Sequence, residues 1–245
     1  PYEENFTLIG TTEVELPGDP GDTRVGDDEV VYLCEQASRY FTRPVKPSDV
    51  VWSYAGVRPL LDDASGDISA VTRDYMLESN TEAAPLLTVW GGKITTFRKL
   101  AEEAAGAIGR LLGDERAAWT ASAVLPGGDL SAWTGMPPGT PAEDFERFVA
   151  ALERRHAWLP PPLAHRLARA YGTRATSWLA DARCLDDLGP EITPGLHAAE
   201  LVHLQREEWT LTADDVLWRR SKLGLHLDAG QRETVAEWFA ASGSA

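Results

Sequence analysis

The sequence predicts an α+β chain: a sheet-containing first part that closes on a strand–Gly-Gly-Lys–helix unit, followed by an all-helical C-terminal domain. Three observations predict it. Short apolar runs, some with period-two alternation, recur between residues 6 and 90. A mostly apolar run then passes through Gly91-Gly92-Lys93 directly into a long helical pattern. From Trp119 onward the pattern is helical and punctuated by caps and prolines, which places the domains at 1–118 and 119–245.

Taken in order, Phe6-Thr-Leu-Ile-Gly-Thr-Thr-Glu-Val-Glu-Leu16 alternates well enough for a strand, and Pro17–Asp22 is turn chemistry. Asp27 and Asp28 precede a helix running to about Phe41, with acids at the end the helix dipole favours. Val50–Val57 and Ala70–Leu77 read as strands, and Pro85–Trp90 as a strand buried on both faces. A helix from about Thr95 to Leu112 stops at Gly113. Pro126-Gly-Gly128 and Gly135–Gly139 form an irregular connection. Helices are then expected at Pro141–His156, Pro162–Tyr171 and Arg174–Arg183. Thr193-Pro194 reads as the start of another, extending to about Glu208. The next runs from a Thr212 cap to Gly224, with Val216, Leu217 and Trp218 as its buried face. Asp228 opens the last, to about Phe239.

The net charge of −15, from 23 basic and 38 acidic residues, argues against nucleic acid and against an electrostatic hold on an anionic membrane. The imbalance is steepest over residues 1–120, with 11 basic against 21 acidic side chains. A cation that binds an anion there has to be placed locally, against the overall field. Cys34 and Cys184 have no metal or redox spacing and read as two buried thiols in a reducing compartment. No apolar run is long enough to span a bilayer. The five histidines, His156, His165, His197, His203 and His226, lack metal-ligand spacing and read as surface or packing residues. No nucleophile elbow and no Gly-x-Gly-x-x-Gly fingerprint occur.

The positions that can carry chemistry are few. At Trp90-Gly-Gly-Lys-Ile-Thr-Thr96 a strand ends, two glycines permit close backbone approach, and free N–H groups of a new helix point outward beside Lys93. The same residues also describe a tight turn with a solvated lysine. Arg58 is fixed between Gly56 and Pro59, and Arg73 sits in Val71-Thr-Arg-Asp-Tyr75. Each either pairs with a carboxylate such as Asp62, Asp63 or Asp74, or forks onto a ligand phosphate. In the helical half, Asp214–Gly224 is acidic at its start and basic at its end, as a well-capped packing helix should be, with Arg219 and Arg220 available for docking.

Six segments, Phe6–Thr12, Val51-Trp-Ser-Tyr-Ala-Gly-Val-Arg-Pro-Leu60, Thr72-Arg-Asp-Tyr75, Trp90–Leu100, Val124-Leu-Pro-Gly-Gly128 and Asp214-Asp-Val-Leu-Trp-Arg-Arg220, carry a resemblance. Together they resemble the aerobic, FAD-dependent glycerol-3-phosphate dehydrogenases. Their order and spacing cover nearly the whole chain. The resemblance implies that Arg58, Arg73 and Lys93 bind sn-glycerol 3-phosphate, with Arg58 and Lys93 also at the reaction centre. It implies that Gly91, Gly92, Lys93, Ile94, Thr95 and Thr96 pack against FAD. The implied reaction is hydride transfer from the substrate's C2 to the flavin, giving dihydroxyacetone phosphate, with electrons passed to quinone or, in related oxidases, to oxygen.

Glu13 stands where the family pattern leads one to expect Asp. The FAD-binding fingerprint belongs to a part this sequence does not contain, so the chain is expected to be a fragment, inactive alone and without FAD of its own. Its apolar strand surface is then expected to rearrange or self-associate. The helical half is expected to serve dimerisation or a partner site, and the protein to be cytoplasmic or peripheral at the inner face of the plasma membrane. Two other readings compete. A helical interaction module with a vestigial α+β part has no use for Arg58, Arg73 and the Gly-Gly-Lys turn. A sibling flavin amino-acid oxidase would grip a monoanionic carboxylate with one arginine, whereas two arginines and a lysine suit a dianionic phosphate.

Overall fold

A computed structural model describes residues 1–3, 5–16, 18–58, 74–114 and 116–242. The chain divides into two compact units, Pro1–Ala123 and Val124–Ala245. Both helix and small sheets occur, so the α+β class holds.

In the first unit α1 spans Asp27–Ser38, opened by three acids in its first turn and closed on itself where the Gly26 N–H donates to the Glu29 carboxylate at 2.9 Å. Strands β1 (Tyr75–Asn80) and β2 (Leu86–Gly91) form an antiparallel hairpin in the register Tyr75–Gly91 to Asn80–Leu86. β2 leads through Gly92 and Lys93 into a single 3₁₀ turn at Ile94–Thr96, and α2 follows at Phe97–Leu112, ended by Gly113 at φ 70°. The 120–122 turn is tied back to α2 where Thr120 donates to Glu102 at 2.6 Å, which holds that carboxyl below its usual range.

Several sequence expectations are corrected here. Residues 6–16 and 50–57 carry no strand pairing apart from an isolated bridge between Tyr2 and Phe6. A strand exists only where a neighbour supplies the ladder, and the described residues offer none. The expected strand at 70–77 is met by β1 from Tyr75 and runs on to Asn80, residues 70–73 lying outside the described set. β2 is not buried on both faces, since Leu86 is 59% and Trp90 44% exposed. Cys34 is the one buried hydrophobic of this unit among the described residues, while Val14, Val51, Ile94 and Leu112 are exposed.

The second unit has a genuine core. α3 (Leu130–Thr134), α4 (Pro141–Arg155), α5 (Pro161–Tyr171) and α6 (Ala175–Leu179) enclose one apolar cluster containing Phe148, Leu152, Ala164, Leu167 and Leu179. The spacings 148/152 and 164/167 set these side chains on one stripe of each helix. α4 begins with a reciprocal cap, Thr140 to the Glu143 N–H and Glu143 back to the Thr140 N–H, which holds the Glu143 carboxyl below its usual range. A second cluster, Leu196, Leu201, Leu204, Val216, Leu217, Leu227 and Val235, joins α7 (Ala198–Glu207) and α8 (Ala229–Ser242) to a π-helical turn at Asp215–Arg220. Tyr171 packs against both clusters.

This unit is not all-helical, and Cys184, expected to be buried, is exposed. β3 (Glu191–Thr193) pairs with β4 (Leu196–His197), and α7 begins only at Ala198. Pro194-Gly195, read in the sequence as a helix start, is instead the corner of a β-turn, with Gly195 at φ 74° as a type II turn demands at its third position. The expected helix over 174–183 shortens to α6, and the one from Thr212 stops at Arg220 rather than Gly224. There the ring of Trp218 lies where a Gly224 side chain would be, so the chain turns beneath it. No helix among the described residues is long and apolar enough to cross a membrane.

Candidate functional site

The Gly91–Thr96 segment is a corner between the β1–β2 hairpin and α2. Gly91 and Gly92 both take positive φ, 67° and 108°, which a side-chain-bearing residue would adopt only with strain. A Cβ at Gly92 would meet Tyr75 at 3.5 Å and Leu100 at 3.7 Å, so the corner is packed on its inner side. The Tyr75 hydroxyl bonds to Glu103 of α2, which pushes the phenol above its ordinary value and ties the hairpin to the helix. The outer side is open, with Ile94 89% and Phe97 54% exposed. Lys93 stands at this corner, its ammonium 3.4 Å from Asp74, the residue before β1. Both groups are well exposed, and such a pair contributes about 0–1 kcal/mol.

Arg58 is held elsewhere in the same unit. Its guanidinium pairs with Glu13, which lies 45 positions earlier in sequence, while Asp62 and Asp63, among the partners offered by the sequence, lie outside the described residues. Glu13 is in turn anchored through its neighbour: the Thr12 hydroxyl donates to Glu29 at 2.5 Å. That bond, with the Gly26 N–H, holds the Glu29 carboxyl below its usual range. Arg73 lies outside the described residues. Gly91, Gly92, Lys93, Ile94, Thr95 and Thr96 are thus contiguous in one corner, Arg58 is fixed on Glu13, and no contact between Lys93 and Arg58 occurs among the described residues. No group of acids, cysteines and histidines suited to a metal occurs among the described residues either.

The second unit holds a polar cluster that sequence reasoning missed. Glu200, on α7 and 2% exposed, accepts two hydrogen bonds from Arg166 of α5, at 2.8 and 2.6 Å, and one from the Tyr171 hydroxyl at 2.6 Å. Burial first, and then the adjacent Glu200 carboxylate, push the Tyr171 phenol far above its ordinary value. His203 lies one turn along α7, against the rings of Tyr171 and Trp178 at 5.4 and 5.9 Å. Its Nε2 is buried without a hydrogen-bond partner, and burial lowers its pKa. The available signal was an acid at position 200 on the same stripe as Leu201 and Leu204, where an unpaired carboxylate would be costly. Of the other histidines, His156 and His197 are buried packing residues. In Asp214–Gly224 the expected buried face is Val216, Leu217 and Trp218, of which the first two are buried and Trp218 is only partly so. Arg219 is paired with Asp215 at 3.0 Å, and Arg220 donates to the Glu208 carbonyl at 2.8 Å.

Pro126-Gly-Gly128 also acquires a role. The Thr173 N–H donates to the Gly127 carbonyl at 3.0 Å, and a methyl at Gly172 would overlap that carbonyl oxygen. The two backbones approach so closely that neither position has room for a side chain.

Comparison with known proteins agrees along the chain. Residues 1–98 match the family described as FAD dependent oxidoreductase, and residues 118–241 match the C-terminal domain of alpha-glycerophosphate oxidase. The chain is 40% identical over 241 residues to the aerobic glycerol-3-phosphate dehydrogenase of Escherichia coli (strain K12), covering 98% of this chain and 46% of that protein. It is equally similar, at 40% over 241 residues, to the glycerol-3-phosphate dehydrogenase of Pseudomonas aeruginosa, covering 98% of this chain and 45% of the relative. It is also 40% identical over 240 residues to the D-erythritol 1-phosphate dehydrogenase of Brucella abortus, covering 98% and 46%. The chain spans about half the length of the curated relatives it matches. The order of the matched segments, the Gly-Gly-Lys corner and the two family matches lead to one conclusion: this chain belongs to the FAD-dependent glycerol-3-phosphate dehydrogenase family.

Proposed function

We propose that the chain is the substrate-clamping and flavin-facing part of an oxidoreductase that converts sn-glycerol 3-phosphate to dihydroxyacetone phosphate. The observation that carries this reading is the Gly91-Gly92-Lys93 corner, set within a chain that matches glycerol-3-phosphate dehydrogenases over 98% of its length. The corner fits a flavin. Its two glycines present backbone with no side chain in the way, its outer side is open and apolar at Ile94 and Phe97, and Lys93 adds a cation. Gly91, Gly92, Lys93, Ile94, Thr95 and Thr96 are the residues assigned to hold it. When bound, FAD supplies the hydride acceptor. Lys93 and the N–H groups at the start of the helix oppose negative charge where it develops on reduction. Arg58 and Arg73 grip the phosphate as guanidinium forks and so supply binding at the non-reacting end of the substrate.

The exposed apolar side chains of the first unit, Val14, Val51, Ile94 and Leu112 among them, are read as surface that packs against the half of the relatives' length not spanned here. On this reading the 245-residue chain alone does not turn over. Electrons pass to quinone, the protein acts in the cytoplasm or at the inner face of the plasma membrane, and the second unit serves dimerisation. The test is dye reduction dependent on glycerol 3-phosphate by the full-length oxidoreductase carrying this segment, comparing the unmodified enzyme with Arg58→Ala and Arg73→Ala. Both variants should keep FAD and lose substrate affinity. Normal turnover in both would make the arginines structural and remove the substrate assignment.

A further inference from the structure

We propose that Glu13 is a positioning residue for substrate binding: it fixes the Arg58 guanidinium so that its remaining N–H donors face the phosphate. The inference rests on the phosphate-clamp reading above and extends it to a residue that does not itself touch substrate.

The argument starts from what Arg58 lacks. It is a long side chain on a segment, 50–58, with no ladder pairing to hold its backbone, and it is about half exposed. A guanidinium in that position samples many rotamers, and ordering it on binding costs affinity. The ion pair with Glu13 removes much of that freedom before substrate arrives. A carboxylate on one terminal nitrogen leaves the other guanidinium N–H groups available, because the fork carries five donors in fixed directions.

Glu13 is suited to the task because its own backbone is anchored. Thr12, the preceding residue, donates its hydroxyl to Glu29 at 2.5 Å, and Glu29 also accepts the Gly26 N–H at 2.9 Å at the start of α1. A continuous path therefore runs from the helix through Glu29, Thr12 and Glu13 to Arg58. The Lys93–Asp74 pair is built differently, since Asp74 is 76% exposed against 32% for Glu13. The less exposed carboxylate restrains its partner more, because less water competes for it.

The sign of the effect follows. Arg58 would bind the phosphate equally in the ground and transition states, so loosening it should raise KM and leave kcat nearly unchanged. In the full-length holoenzyme, Glu13→Ala should raise KM for glycerol 3-phosphate roughly tenfold, with kcat within about twofold. The inhibition constant of inorganic phosphate should rise in parallel. Glu13→Gln keeps an oxygen acceptor and should recover most of the loss, which separates positioning from charge alone. It also serves as the test variant if Glu13→Ala holds less FAD. The double variant Glu13→Ala/Arg58→Ala should bind phosphate no worse than Arg58→Ala, because the proposed effect of Glu13 on phosphate passes through Arg58.

A fall in KM for Glu13→Ala would show that the carboxylate competes with the phosphate and would overturn the proposal. So would an unchanged KM, or a double variant weaker than Arg58→Ala alone. The two levels separate cleanly. If Arg58→Ala leaves KM unchanged, the clamp reading fails and the role of Glu13 fails with it. If Arg58→Ala raises KM and Glu13→Ala does not, the role of Glu13 alone is wrong.

Discussion

Replacing Glu200 with Gln removes one charge from the second unit and changes its shape hardly at all. The carboxylate is 2% exposed and faces three donors, two from Arg166 at 2.6 and 2.8 Å and the Tyr171 hydroxyl at 2.6 Å. A carboxylate accepts at both oxygens, whereas an amide presents one oxygen and one NH₂. In any rotamer the Glu200→Gln side chain therefore turns a donor towards a donor, and the Arg166 charge loses its counterion. Breaking a buried ion pair by removing one partner costs about 3–5 kcal/mol. Because the amide keeps one acceptor, and Arg166 is a quarter exposed, the expected loss is at the lower end, about 3 kcal/mol. For a unit of roughly 120 residues that is a fall in Tm of about 12 °C.

The assay is urea unfolding of the chain followed by tryptophan fluorescence, with Trp178 as a local reporter because its ring lies 6.0 Å from that of Tyr171. The midpoint should fall with the slope unchanged. A double variant, Arg166→Leu/Glu200→Leu, should be less damaged than Glu200→Gln alone, since no unpaired charge remains. A loss below about 1 kcal/mol for Glu200→Gln would mean that the pair behaves as a solvated surface bridge, and the account of this cluster would be refuted.

Gly172→Ala should destabilise the second unit by more than about 3 kcal/mol, read as a thermal shift, because the new methyl overlaps the Gly127 carbonyl and φ is 53°. Trp209→Gly should have the opposite sign and stabilise by about 1 kcal/mol, since Trp209 is 85% exposed and held at φ 52°; a loss of stability would show that its ring is doing structural work. Stability should also fall as pH drops below about 6.5. Burial, and then Arg174, depress the pKa of His203, with Glu208, Glu207 and Glu200 opposing, and burial also depresses that of His156. The folded state therefore keeps both rings neutral while the unfolded chain takes up protons, so stability is complete above the unfolded pKa and declines below it. Urea midpoints measured from pH 8 to 5 should be level and then fall, and a midpoint that rises on acidification would contradict the buried, unpartnered placement of His203.

How far the sequence determines this protein depends on whether the deciding interaction is local. The helices at Asp27, Pro141, Pro161 and Asp228 were legible because caps, first-turn acids and apolar spacing all act within a few residues. The strand running into Gly91 and the helix stop at Gly113 were legible for the same reason, as was the family, whose motifs are contiguous runs, but the pairing of β1 with β2 was not. The turn at Pro194-Gly195 was local too, but Thr-Pro also opens helices, and only the pairing of β3 with β4 decided between them.

What the sequence could not determine is who partners whom. Nothing in the run Gly10–Glu15 says that Glu13 meets Arg58, and nothing in α5 says that Arg166 belongs to a glutamate 34 residues away. Ladder pairing, ion pairs and the close approach of Gly127 to Gly172 all join residues far apart in the chain. Their formation depends on the loops between them closing, and that is set by the packing of the whole unit rather than by either residue alone. The chemistry available to the protein is therefore written in its residues, while the assignment of each cation to its anion is made by the tertiary structure.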